Sequence, residues 1–145
     1  ADVTRLEIED NRFEAVVCSS YLQHAPNVKG LLAEAARVLK PGGLFLADIC
    51  PYAGLNGAFL EDSQAPWYHL IDETLNETST IPLNRWREAQ YRAALQDYFV
   101  IDQWRRESNE KAEAHLTPRL QTRLADYSPE ELTCGQIIVA ATARK

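Results

Sequence analysis

The sequence has no apolar run approaching the roughly 20 residues that a membrane-crossing helix needs. Its first residues show no basic stretch followed by an apolar one, so no secretion signal is read there. It also lacks an excess of positive charge, with 15 Lys and Arg against 21 Asp and Glu and a formal net charge of -6. Proteins that grip nucleic acid concentrate basic side chains to neutralise phosphates, so no nucleic-acid partner is expected. Arg85, Arg87, Arg92, Arg105 and Arg106 do cluster, but Glu88, Asp97 and Glu107 interleave with them, the pattern of a solvated mixed-charge surface. Cysteine is scarce. Cys18, Cys50 and Cys134 form no Cys-x-x-Cys, and no His-x-x-x-His is present. An odd, scattered set points to reduced thiols in a cytoplasmic location and gives no metal site.

What is present is ordinary for a globular domain. Of 145 residues, 46% are hydrophobic and 25% charged, enough for one domain with a core. Phe13 to Cys18 is a short apolar run rich in β-branched residues and reads as a buried strand. Val28, Leu31, Leu32, Ala35, Val38 and Leu39 recur at helical spacing, with Asn27 as N-cap. Lys40-Pro41-Gly42-Gly43 ends that helix. Leu44 to Ile49 is a second buried strand, which completes a βαβ unit. The apolar character of both strands favours a parallel sheet covered on both faces.

Residues 51–83 have weak periodicity and several prolines, glycines and aromatics, and read as a lid-like excursion. A helix is expected over Asn84 to Gln96, capped by Asn84. A third strand follows at Tyr98 to Trp104. Helical segments between Glu107 and Tyr127 include a start at Thr117-Pro118. Ser128-Pro129-Glu130-Glu131 carries a capping box, and Gly135 to Thr142 is the last strand.

Arg12-Phe13-Glu14-Ala15-Val16-Val17-Cys18, then Leu22-Gln23-His24, then Arg37-Val38-Leu39-Lys40-Pro41-Gly42-Gly43 resemble the middle of class I S-adenosylmethionine-dependent methyltransferases. The resemblance extends to Ala1-Asp2-Val3 upstream and to the strands at Tyr98 and Gln136 downstream. It implies an α/β fold: a partial Rossmann-like three-layer sandwich, with a mostly parallel sheet and an antiparallel closing strand. It also places residues 1–145 on the later part of the family domain, as a single, incomplete domain. The family's glycine-rich loop after its first strand has no counterpart here, nor does the acid after its second strand. That loop brings backbone close to the cofactor, and the acid holds the ribose hydroxyls. Gly42-Gly43 cannot substitute, because ligands in such sheets bind at the carboxyl ends of strands. The family's first strand pairs with the equivalent of Phe13–Cys18, so that edge is left apolar and open. A second chain, a second copy of this chain or a rearranged N-terminus is expected to cover it, and a proteolytic fragment is equally compatible.

By this resemblance the cofactor is S-adenosylmethionine. Asp2 is the candidate for the adenine amino group, with Val3 beside it, and Cys18, Ser19 and Ser20 flank the cofactor at a strand's carboxyl end. His24 is the candidate base or substrate-orienting group, and Tyr21 the candidate pocket wall. Each has a plainer alternative: a mobile terminal acid for Asp2, a strand-end turn for Cys18 to Ser20, packing for His24 and Tyr21. Asp48 stands at the same rim or caps a turn. Tyr52, Trp67, Tyr68 and His69 line a substrate cover or simply pack it. Methyl transfer relies mainly on alignment and exclusion of water, so no strong catalytic signature is expected. The expected activity is methylation of a small molecule, by a fragment or one half of a split enzyme. The rival is a regulatory or scaffolding subunit with a degenerate fold. A nucleic-acid methyltransferase is disfavoured by charge and by Cys18-Ser19-Ser20-Tyr21, where such enzymes carry an Asn/Asp-Pro-Pro-aromatic motif.

Overall fold

A computed structural model of the chain describes residues 2–57, 66–72 and 81–145. Strand β1 is Phe13–Ser19, followed by a 3-10 turn at Leu22–His24. Helix α1 is Val28–Val38 and strand β2 is Leu39–Ile49. Then come α2 (Tyr68–Ile71), α3 (Glu88–Gln96), β3 (Phe99–Ser108), α4 (Glu110–His115), α5 (Pro118–Arg123), α6 (Pro129–Thr133) and β4 (Cys134–Ala143).

Local chemistry explains the helix ends. The Asn27 side chain accepts from Gly30 N at 2.9 Å and starts α1. Gly42 has φ +73, a conformation that suits glycine in the turn into the buried part of β2. Thr117 caps α5 and Ser128 closes a capping box with Glu131, as the sequence indicates. Asn84 does not cap α3. The helix starts four residues later, with Arg87 at its N-cap. Arg85 has positive φ, and the Asn84 carboxamide instead donates to the carbonyls of Leu22 and Ala25 at 2.7 and 2.9 Å.

The sheet order is β1-β2-β4-β3. β1 and β2 are parallel, with Val16 opposite Phe45 and Ser19 opposite Asp48. β4 is antiparallel to both β2 and β3. The sheet is therefore mixed, with one parallel pair, and the expectation of a mostly parallel sheet is overturned. The reason is where the reversed strand sits. β4 lies inside the sheet, so both of its ladders become antiparallel. Apolar character carries no information about strand direction, and the expected burial of Phe13–Cys18 is not met either, since Cys18 alone is buried in β1.

One face of the sheet is packed. Phe45, Ala47 and Ile49 of β2, Phe99 of β3 and Ile137, Val139 and Ala141 of β4 form a core with Leu31, Leu32, Ala35, Tyr91, Ala94 and Leu95 of α1 and α3. The Phe45 and Phe99 rings lie 4.9 Å apart. The opposite face is open. Val17 is 68% exposed, Leu44 46%, Leu46 37% and Val100 48%, so the expected cover on both faces does not form among the described residues. A smaller cluster holds Leu55, Trp67, Ala112, Leu124 and Leu132, with Trp67 Nε1 donating to Leu132 O at 3.0 Å. Of the excursion 51–83, residues 58–65 and 73–80 lie outside the described residues.

Candidate functional site

The carboxyl ends of β1 and β2 lie side by side, because parallel pairing sets Ser19 opposite Asp48. Asp48 organises this rim. Its Oδ2 accepts from Ser20 N at 3.0 Å, Ser20 Oγ at 2.5 Å and Gln136 Nε2 at 3.1 Å. Ser20 has φ +49, a region L-residues rarely occupy, and the two bonds to Asp48 hold it there. Burial pulls the Asp48 acid upward, but hydrogen bonds from Ser20, Ser19 and Gln136 together outweigh it and keep the carboxyl below its ordinary value. Burial, reinforced by the Asp48 charge, pushes the Cys18 thiol up to about 11. Cys18 is thus a protonated packing residue at neutral pH, not a nucleophile.

A second network fixes the N-terminal segment. Glu34, on α1, accepts from Leu6 N at 2.6 Å and from Arg37 Nε and Nη2 at 2.8 and 2.7 Å. Arg37 also pairs with Asp10 and donates to Leu6 O at 3.3 Å. The Arg37 guanidinium holds the Glu34 carboxyl at about 2. These bonds seat Val3 and Leu6 beside β1. The sequence offered no sign of this clamp beyond the spacing of Glu34 and Arg37 on one helix face.

Between that segment, α1 and the free edge of β1 runs a groove of about 360 Å³. Val3, Cys18, Ser19 and Tyr21 are among its walls, together with Phe13 and Val17. Asp2, Ser20 and His24 are not. Asp2 Oδ1 accepts from Thr4 N at 2.9 Å and Thr4 Oγ1 at 2.6 Å, which makes it the organiser of its own turn. His24 Nδ1 lies 2.9 Å from Pro82 O, and since a carbonyl only accepts, Nδ1 carries the hydrogen. Tyr52 and His69 belong elsewhere: the His69 ring is buried, donates through Nε2 to Tyr52 O at 2.7 Å and meets the Tyr52 ring edge-on. Burial lowers the His69 pKa, so the ring is neutral at physiological pH. Trp67 is fully buried, and Tyr68 is 39% exposed. Among the described residues, no group of three His, Cys, Asp or Glu could hold a metal ion.

A family model described as a methyltransferase domain matches residues 1–47. Sterol 24-C-methyltransferase ERG6A of Gibberella zeae is 46% identical over 44 residues, which is 30% of this chain and 12% of that protein. The S-adenosylmethionine-dependent methyltransferase of Mesorhizobium loti superposes on 98% of this chain with a TM-score of 0.63 at 16% identity. The methyltransferase solved in complex with the Haloferax volcanii Trm112 methyltransferase activator superposes on 100% of it, with a TM-score of 0.63 at 22% identity. The chain has the fold of S-adenosylmethionine-dependent methyltransferases. It spans 67% of the Mesorhizobium chain and 60% of the Haloferax chain.

The cofactor of that methyltransferase fold has a flat adenine, a ribose and a charged methionine end. The groove suits the first, with apolar surface from Val3, Leu6, Phe13 and Val16. Among the described residues, no carboxylate lines it to take the ribose hydroxyls. The residues present therefore fit one end of the cofactor.

Proposed function

We propose that this chain is part of an S-adenosylmethionine-dependent enzyme that methylates a small molecule, as a fragment or one half of a split enzyme. The observation that carries the reading is the superposition of essentially all of the chain on methyltransferases that extend well beyond it. S-adenosylmethionine would supply a methyl group already activated on a sulfonium sulfur. The task left to the protein is to align the acceptor and exclude water. Val3, Cys18 and Ser19 bound the cofactor side of the groove, and Asp48 holds the Ser20 turn at the rim. Tyr21, 38% exposed at the mouth, is the substrate-facing wall. His24, held by Pro82 O through Nδ1, is the candidate base or substrate-orienting group. Asp2 contributes to adenine recognition if its turn re-forms around the cofactor. Further polypeptide, as a second chain or second copy against the Phe13–Cys18 edge, completes the site, and the location is cytoplasmic.

Calorimetric titration with S-adenosylhomocysteine tests this reading. The 145-residue chain alone is expected to bind weakly or not at all, and the complete assembly to bind in the micromolar range. Micromolar binding by the chain alone would refute the claim that part of the site lies outside it. No binding by the complete assembly would refute the methyl-transfer reading.

A further inference from the structure

The 3-10 turn at Leu22–His24 follows the carboxyl end of β1, and its backbone is clamped from one residue. The Asn84 carboxamide donates to the carbonyls of Leu22 and Ala25, and the Asn84 amide donates to Gln23 O at 2.9 Å. The Asn84 side-chain oxygen accepts from Tyr91 Oη at 2.7 Å and from Trp86 N at 3.1 Å, so the clamp is itself held in place. His24 is tied to Pro82 O two residues before Asn84. The turn is therefore fixed before any ligand arrives.

One polar atom in this turn has nothing to bond. Gln23 is 2% exposed, and its Nε2 donates to Ser20 O at 3.0 Å. A carbonyl only accepts, so the nitrogen must face Ser20 and the oxygen must point elsewhere. Among the described residues, Gln23 Oε1 is buried without a hydrogen-bond partner. An unmet buried acceptor costs stability, and a leucine or methionine of similar size would avoid that cost. The place of the carboxamide suggests what uses it. It lies against Ser20, whose N and Oγ are both tied to Asp48, at the joined carboxyl ends of β1 and β2. Ligands of such sheets bind at that end of the strands. The groups at hand there, Gln23 Oε1 and the Asp48 carboxylate, are both acceptors, so a fitting ligand brings a donor.

We propose that Gln23 is a substrate-recognition residue, whose Oε1 accepts a hydrogen bond from a hydroxyl or N–H group of a small molecule bound at this rim. A carboxamide is too weak a base to remove that hydrogen, so Gln23 orients the group and does not deprotonate it. An ether, a ketone or a carboxylate in the same place would set acceptor against acceptor, and the contact selects against them. Tyr21, 38% exposed and two residues away, is the rim side chain that turns aside to admit the ligand. That the ligand is a methyl acceptor rests on the methyl-transfer reading above, whereas the unmet oxygen stands without it.

Two matched pairs of probes test this on the complete assembly by nuclear magnetic resonance: phenol against anisole, and aniline against N,N-dimethylaniline. In each pair, methylation removes the donor and keeps the ring. Phenol and aniline should shift the Gln23 side-chain carbonyl carbon, which reports hydrogen bonds accepted by Oε1. Each should also bind at least about 10-fold more tightly than its methylated partner. A Gln23 carbonyl carbon that phenol and aniline leave unmoved, or methylated probes that bind as tightly, would overturn the proposal, and both readouts come from the unsubstituted protein. In Gln23→Met, which keeps the length and loses the acceptor, the preference should fall below about 2-fold. A preference that survives there would assign the donor to another acceptor and overturn the proposal as well. S-adenosylhomocysteine is left out of these titrations, so the two readings fail separately. An assembly that binds phenol at Gln23 but never binds S-adenosylhomocysteine would refute methyl transfer and leave this contact standing.

Discussion

Phe45 and Leu46 are neighbours on one strand, and both are large and apolar. Phe45 is 0% exposed and Leu46 is 37% exposed. The difference lies in the face each presents: α1 and α3 cover one and nothing described covers the other. Residue type alone therefore does not say what is buried. Among the described residues there is more apolar surface than the helices cover, and the surplus lies on one side of β1 and β2.

The largest expected effect follows from that contrast. Phe45→Ala should destabilise the protein by about 3–5 kcal/mol, because it leaves a cavity beneath α1 and α3. Leu46→Ala in the 145-residue chain should cost less than about 1 kcal/mol, since the side chain already faces water. Urea titration of both variants measures the pair. Equal costs would break the contrast between the faces.

The packed face was legible in the sequence and the open one was not. The spacing of Leu31, Leu32, Ala35 and Val38 marks the buried side of α1, and Asn27, Thr117 and Ser128 cap their helices because short polar side chains reach nearby amides. Strand direction was hidden, because a buried strand reads the same whichever way it runs. The place of β4 between β2 and β3 depends on contacts distant in the chain. The site was legible only in part. Val3, Cys18, Ser19 and Tyr21 meet along one groove, whereas Asp2 bonds to Thr4 two residues away. The Glu34 clamp and the Asp48–Ser20 bond join residues 28 positions apart, and no local pattern announces them.

The Glu34 clamp supplies the next effect. It belongs to the packed side and holds the segment that walls the groove. Glu34→Gln should cost about 1.5 kcal/mol through weakened charge-assisted bonds, with faster hydrogen exchange at the Leu6 amide. Its carboxyl lies at about 2 against an ordinary 4.5, chiefly through Arg37. A depressed acid stabilises the fold above its unfolded value and loses that contribution as pH falls toward its folded value. The parent protein should therefore lose stability between about pH 4.5 and 2 more steeply than Glu34→Gln does. Parallel stability curves across that range would show that the clamp carries no pH dependence.

The smallest effect tests the rim where the two faces meet. Asp48 lies on the open side of β2, Ile49 on the packed side, and Cys50 follows. Burial raises the Cys50 thiol pKa, and the Asp48 charge raises it further. Asp48→Asn removes that charge, so the thiol should ionise at lower pH and iodoacetamide should modify Cys50 a few-fold faster at about pH 8. Cys18 is raised by the same two causes but is far less accessible, and should stay unmodified until the protein unfolds. An unchanged Cys50 rate would mean that burial alone sets the thiol. Labelling of Cys18 in the folded variant would mean that losing the Ser20 bonds opens the rim. Asp48 would then be holding shut the end of β1 that borders the groove, and the barrier between the open face and the core would rest on a single carboxylate.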